Sequence, residues 1–119
     1  LLAAINSPYV KIISHPTGRK LLEREAYDAD WAEVFKQCAK TGTILEINAW
    51  SNRLDLPDTL VRLAITNNVR LIISSDAHAA EHMDNMRFGV SVARRGWATP
   101  KNIVNTWSWR EFKKLFKYD

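Results

Sequence analysis

A single cysteine, Cys38, is all that the 119 residues contain. That excludes an intramolecular disulfide and any cysteine-rich zinc module, and it fits a reducing, cytoplasmic compartment. Cys38 itself is expected to pack inside a helix. Long apolar runs are missing too: nothing approaches the roughly 18 consecutive apolar residues that a membrane span requires, so no membrane association is expected. Leu1-Leu2-Ala3-Ala4-Ile5 is too short for a signal peptide and has no basic leader, and a chain that starts on leucine is expected to be a fragment of a longer one. Charge of one sign is only mildly in excess. The formal net charge of +4 acts on solubility and encounter and names no function. A chain of 119 residues has room for one domain with a modest core.

What is present is a pair of apolar runs that end in ligand-type side chains. Leu71 to His78, LIISSDAH, reads as a buried strand that stops at Asp76 and His78. Upstream, Val10-Lys11-Ile12-Ile13-Ser14 runs into His15. Two strands thus deliver His15, Asp76 and His78 to what could be one edge of one sheet. Imidazole and carboxylate suit Zn²⁺, Mn²⁺ or Fe²⁺, and the carboxyl edge of a parallel sheet is where α/β folds bind and react with substrates.

Strand candidates at 9 to 14, 43 to 48 and 70 to 75 are nearly continuous apolar runs, the pattern of parallel strands covered on both faces. Between the first two, Asp30-Trp31-Ala32-Glu33 opens a helix that ends near Thr41-Gly42. Between the second and third, Pro57 opens a helix expected to bury Leu60, Leu63 and Ala64 and to close at Asn67-Asn68. After His78 only helices are expected: 80 to 94, a short one begun by Thr99-Pro100, and a last one capped by Ser108 with Glu111, while Gly89 and Gly96 punctuate the stretch. The fold class is therefore α/β, about three parallel strands with flanking helices and a helical C-terminal segment. Three strands cannot close a barrel, which takes about eight. Either the sheet is open or more than half a barrel is missing.

Several segments in order resemble one family. They are His15-Pro16-Thr17-Gly18-Arg19, Leu45-Glu46-Ile47-Asn48, Arg53-Leu54-Asp55-Leu56, Ser75-Asp76-Ala77-His78, Met86-Arg87-Phe88-Gly89-Val90 and Ala93-Arg94-Arg95-Gly96-Trp97. Together they are similar to the C-terminal part of a PHP (polymerase and histidinol phosphatase) domain, and within that superfamily to the one that ends bacterial family X DNA polymerases. Residues 20 to 26 depart from the Gly- and Arg-bearing loop usual there. The resemblance implies a partial (βα) barrel of PHP type, spanning 1–119 as a single fragment. It implies a metal-dependent phosphoesterase, a 3′-5′ exonuclease acting on DNA in the intact parent, with up to three Mn²⁺ or Zn²⁺ ions that activate a water in line with phosphorus. His15, Asp76 and His78 fall on ligand positions and would be the catalytic set. They are implied to serve different ions, and the opening His-x-His pair has no counterpart here, so the fragment alone is expected to be inactive. The upstream half of the domain and a polymerase domain are the implied partners, and the open sheet margins are expected to be covered or to self-associate.

The remaining residues divide between site and scaffold. Glu46 and Asn48 alternate onto one strand face, which must be polar because a buried carboxylate needs partners. Arg19 and Arg53 follow strand ends and either clamp a phosphate, as guanidinium does bidentately, or make structural salt bridges. Asn48 completes the expected substrate-binding set. His82 is expected beside the site or in solvent. Trp50, Trp97, Trp107 and Trp109 are expected in the core or an interface, with stacking on single-stranded bases as the lesser alternative. Arg110, Lys113, Lys114 and Lys117 share a helix face, expected to be solvated. Two other classes remain open: a non-catalytic PHP scaffold, and a small-molecule metallohydrolase of barrel fold.

Overall fold

The computed structural model describes residues 1–116, and among them three strands form one sheet. β1 (Ile12–Ile13), β2 (Ile44–Asn48) and β3 (Leu71–Ser74) lie in that order, and each neighbouring pair is parallel, with Ile13 opposite Leu45 and Asn48 opposite Ser74. The parallel arrangement is the one expected. β1 is much shorter than its apolar run: ahead of it the Tyr9 and Val10 N–H groups turn back onto Ser7 Oγ at 3.4 Å and Ser7 O at 3.2 Å, and behind it His15 adopts a left-handed φ of 31° while Gly18 N–H closes a turn onto His15 O at 2.9 Å.

A short helix, α1 (Leu2–Ile5), precedes the sheet. α2 (Trp31–Thr41) starts and stops where its caps dictate. Asp30 accepts the Glu33 N–H at 3.1 Å, and Gly42 sits at φ 76°, a left-handed position that glycine occupies without strain. Its inner side is Val34, Phe35 and Cys38, all buried. α3 (Asp58–Thr66) follows Pro57, but its inner side is Val61 and Ala64, whereas Leu63 is half exposed. The expected face was therefore offset by a fraction of a turn. The cause is tertiary: Val61 meets the C-terminal end of the next helix, where a Cβ on Gly96 would lie 2.4 Å from Val61 Cγ1.

The expected continuous helix over 80 to 94 is two pieces. Ala80–Asn85 winds as a 3₁₀ helix with no buried residue to hold an α-helical register, and α4 (Met86–Arg95) follows. Gly89 does not punctuate but sits inside α4, where a Cβ would stand 2.4 Å from Ile73 Cγ2 and 2.9 Å from Ala49 Cβ. That closeness seats α4 on the ends of β2 and β3. Thr99 caps the turn Pro100–Asn102, and Ser108 and Glu111 form the expected capping box of α5 (Trp109–Phe112), which tightens over Lys113–Phe116. Arg110, Lys113 and Lys114 are exposed, as a solvated face requires; Lys117 lies outside the described residues. Trp97 and Trp109, expected in the core or an interface, are 64% and 73% exposed, which places them outside the core.

Period-two alternation sorts the sheet into two faces. Leu45, Ile47, Leu71 and Ile73 enter one core with Phe35 and Ala93 from the helices. The alternate residues Glu46, Asn48, Ile72 and Ser74 belong to the other face. The outer margin of β3 is covered from within the chain: Leu71 bridges to Ile103, while the Asn105 amide accepts the Ile73 N–H at 2.8 Å and donates to Ile73 O at 2.9 Å. Asn105 thus stands in for a neighbouring strand and blunts the edge.

Gly89→Ala should lower stability by about 2 kcal/mol through overpacking against Ile73 and Ala49, despite the better helix propensity of alanine. Urea unfolding checks it. An unchanged midpoint would mean that α4 does not rest on the sheet at this point.

Candidate functional site

The three strands end on the same side of the sheet, and one buried carboxylate ties their ends together. Glu46, 7% exposed, accepts the His15 backbone N–H at 2.5 Å and the Asn48 side-chain amide at 3.4 Å through Oε2, and the Ser74 hydroxyl through Oε1. A carboxylate buried without such donors would cost several kcal/mol, roughly. With them it becomes a clamp that sets where His15 and the segment after Ser74 leave the sheet.

Asp55 makes a second clamp. It is fully buried, and its carboxylate accepts the N–H groups of Thr17 at 3.1 Å and Gly18 at 3.0 Å. Its backbone forms a two-way bridge with Asn48. Arg19 crosses in the opposite direction, donating from Nε to Arg53 O at 2.8 Å and from Nη2 to Leu54 O at 2.5 Å. The loop after β1 is thereby locked to the loop after β2. Burial holds the Asp55 carboxyl above its ordinary range, opposed by the Thr17 and Gly18 N–H groups and by the Arg19 charge. Burial likewise raises the Tyr27 phenol, with the Asp55 charge adding to it, and the Tyr27 hydroxyl donates to Pro16 O.

On the open side of these clamps lie the groups with chemical capacity. Arg53 Nε is 3.9 Å from Asp76 Oδ2. His78 Nδ1 is 2.6 Å from Asp76 O. A carbonyl only accepts, so Nδ1 carries the proton and His78 Nε2 presents its lone pair outward, a tautomer assigned from this partner. His82 Nδ1 accepts the His78 N–H at 3.2 Å, which leaves its own proton on Nε2. Trp50 stands edge-on to both imidazoles, 5.7 Å from His78 and 4.7 Å from His82 between centroids. Asp76 has a φ of 56°, so backbone strain coincides with the cluster.

The structure thus sets Arg53 against the Asp76 carboxylate and the His78 ring against the Asp76 carbonyl; the His15 side chain is exposed, and it is the His15 backbone N–H that Glu46 ties to the strand ends. Asn48 is buried and committed to scaffold bonds, its Oδ1 accepting the Trp50 N–H at 3.0 Å. Two nitrogens of Arg19 are likewise committed to carbonyls. Asp55 had no role assigned from sequence. Its signal was an acid between two leucines after a strand, but nothing in sequence names the amides it would accept. For a metal, the donor types fit Mn²⁺ or Zn²⁺ and their number does not: among the described residues no group of three His, Cys, Asp or Glu side chains converges to hold an ion. Cys38, its thiol pushed up to about 11 by burial, offers no alternative ligand or nucleophile.

Comparison with known proteins now bears on the cluster. The chain is 38% identical over 117 residues to the DNA polymerase/3′-5′ exonuclease PolX of Bacillus subtilis (strain 168), a match covering 98% of this chain and 20% of that protein. The chain is related to the bacterial family X DNA polymerases. It also matches a probable phosphatase of Syntrophotalea carbinolica at 27% identity over 111 residues, 88% of this chain and 44% of that one. The chain therefore spans about one fifth and less than half of these two relatives. No protein-family profile matches it. Among the described residues no helix is long and apolar enough to cross a membrane.

Asp55 gives the site a testable pH signature. Folding raises its pKa above the ordinary 3.8, so the folded chain holds this proton more tightly than the unfolded one. The associated stability is fully present below 3.8 and declines as pH rises through the raised value. Asp55→Asn should flatten that decline. Asp55→Ala should cost about 3 kcal/mol, the order expected for two stranded buried N–H groups. Urea unfolding at pH 4 and pH 7 reads both; a native-like slope in Asp55→Asn would assign the titration elsewhere.

Proposed function

We propose that residues 1–119 are the C-terminal part of a PHP-type metallophosphoesterase domain, a partial (βα) barrel, and that the intact parent is a family X polymerase that removes nucleotides from DNA 3′ ends. The observation that carries the proposal is the group at the carboxyl edge of the parallel sheet: the Arg53 guanidinium 3.9 Å from the Asp76 carboxylate, and the His78 imidazole held by the Asp76 carbonyl. Relatives named as an exonuclease and a phosphatase support a phosphoester substrate.

In this reading Asp76, His78 and His15 contribute to the shells of Mn²⁺ or Zn²⁺, with the missing ligands supplied by the upstream half of the domain. Bound ions of this kind acidify a water and stabilise a leaving oxygen. Arg53 binds the phosphate that approaches Asp76, while Arg19 and Asn48 shape the phosphate site from behind by fixing the 53–54 carbonyls and the turn at Trp50. Nucleotide addition belongs to a polymerase domain outside this chain. The parent works on DNA in the cytoplasm, and the β1 margin is where the isolated chain would self-associate.

The phosphatase relative favours a second reading, hydrolysis of a small phosphomonoester by the same cluster. Digestion of 3′-labelled DNA and release of phosphate from p-nitrophenyl phosphate, each with added Mn²⁺, separate the two. In the intact parent, Asp76→Ala or His78→Ala should lower exonuclease activity by at least about a hundredfold, the size of effect seen when a site loses a ligand or its support, while nucleotide addition stays near normal. The isolated chain should bind Mn²⁺ weakly and digest little. Full exonuclease activity in the Asp76→Ala parent would put the chemistry elsewhere.

A further inference from the structure

Trp97 occupies a position that disfavours tryptophan twice. It leaves α4 with a φ of 64°, in the left-handed region that suits glycine or asparagine, while the adjacent Gly96 has an ordinary φ of −80°. Its ring is 64% exposed. Gly96 is not free to exchange roles, since a Cβ there would meet Val61 Cγ1 at 2.4 Å and Asp58 O at 2.9 Å. The turn is held firmly nonetheless: Trp97 N–H donates to Arg94 O and Ala98 N–H to Ala93 O, each at 3.0 Å. The chain therefore fixes an indole at the surface and gains little burial from it.

The ring has a partner of a particular kind. The Arg62 guanidinium lies 3.4 Å from its centroid, stacked on one face. Arg94 and Arg95, which precede the Gly96–Trp97 turn at the end of α4, are exposed, and Arg95 is shared with Asp58 at 3.0 Å. An aromatic face backed by a guanidinium, with two further cations just before it in the chain, suits a planar, stackable ligand that carries phosphates. A protein partner would bury the indole at the cost of desolvating the Arg62 guanidinium stacked on it.

We propose that Trp97 and Arg62 form a stacking platform for a base of single-stranded DNA, with Arg94 and Arg95 on the flanking phosphates. This shares its substrate class with the function proposed above but uses residues on α3 and α4 outside the Asp76 cluster, so binding can be measured without hydrolysis. The experiment is fluorescence anisotropy of a labelled twelve-nucleotide oligo-dT titrated with the whole chain, alongside an abasic strand of the same length. Trp97→Ala should weaken oligo-dT binding about tenfold, the effect of losing one stacked base, and Trp97→Phe should restore most of it. Trp97→Gly should weaken binding equally while leaving Tm unchanged or raised, because glycine suits the left-handed turn; loss of binding is then separated from loss of fold. The abasic strand should bind weakly and not distinguish the variants. Phosphate release from p-nitrophenyl phosphate by the native intact parent, a substrate with no base to stack, is measured alongside: no release together with Trp97-dependent oligo-dT binding supports this platform while the proposed chemistry fails, so the two failures are told apart. Equal binding of oligo-dT by native, Trp97→Ala and Trp97→Gly chains would overturn the proposal, as would abasic binding as tight as oligo-dT. Trp97-dependent self-association in the ultracentrifuge without oligo-dT binding would overturn it in favour of a protein contact.

Discussion

Glu46 holds the three strand ends of this molecule in one register. Its carboxylate is buried on the polar face of the central strand, and each oxygen is spent on a neighbour that would otherwise leave the sheet independently: His15 through its backbone, Asn48 through its amide, Ser74 through its hydroxyl. Without an acid at this position, two strand termini would lose a shared acceptor and the buried donors would be stranded, a penalty of about 1–3 kcal/mol for each. Everything that approaches Asp76 or His78 does so along directions that this clamp fixes.

Asp55 extends the same logic from strands to loops. A carboxylate that accepts consecutive backbone N–H groups behaves like a fixed anion in a turn, and the Thr17–Gly18 amides wrap it. Arg19 reciprocates with a cation on the carbonyls of residues 53 and 54. The two loops therefore exchange opposite charges in both directions, which holds Arg53, in the middle of the exchange, within reach of Asp76. Of the two arginines that follow strand ends, Arg19 spends two nitrogens on the opposite loop, whereas Arg53 returns one long bond from Nη1 to Arg19 O at 3.5 Å and turns Nε toward Asp76.

Features fixed by short-range chemistry were legible in the sequence: Asp30, Gly42, Ser108 and Glu111 mark helix ends because their caps are satisfied within a few residues. The order and parallel sense of the strands were legible because apolar runs alternate with helices. What escaped is decided by turns inside an apolar run or by tertiary packing. β1 is cut short by local turns at Ser7 and His15 on either side of it, the inner face of α3 is chosen by Gly96, and the residues 80 to 85 lose their α-helical register for want of burial. In the site, Asp76, His78 and the buried partner-seeking Glu46 were legible from strand ends and alternation. Asp55 was not, because its partners are backbone amides 37 and 38 residues away.

The division of labour among the acids limits where chemistry can occur. Glu46 and Asp55 are buried, and their acceptor capacity is used by the fold, so neither can turn to a substrate without releasing the strand ends or the loops. Asp76 is different: it is partly exposed, faces a guanidinium 3.9 Å away, and has beside it an imidazole whose proton is placed on the inner nitrogen. Its remaining capacity points away from the sheet. A fold that satisfies its buried carboxylates internally and leaves one at the strand edge with unspent acceptors confines reactivity to that edge. Among the described residues no three ligand-type side chains converge at that edge, so an ion bound there would need further ligands to close its shell.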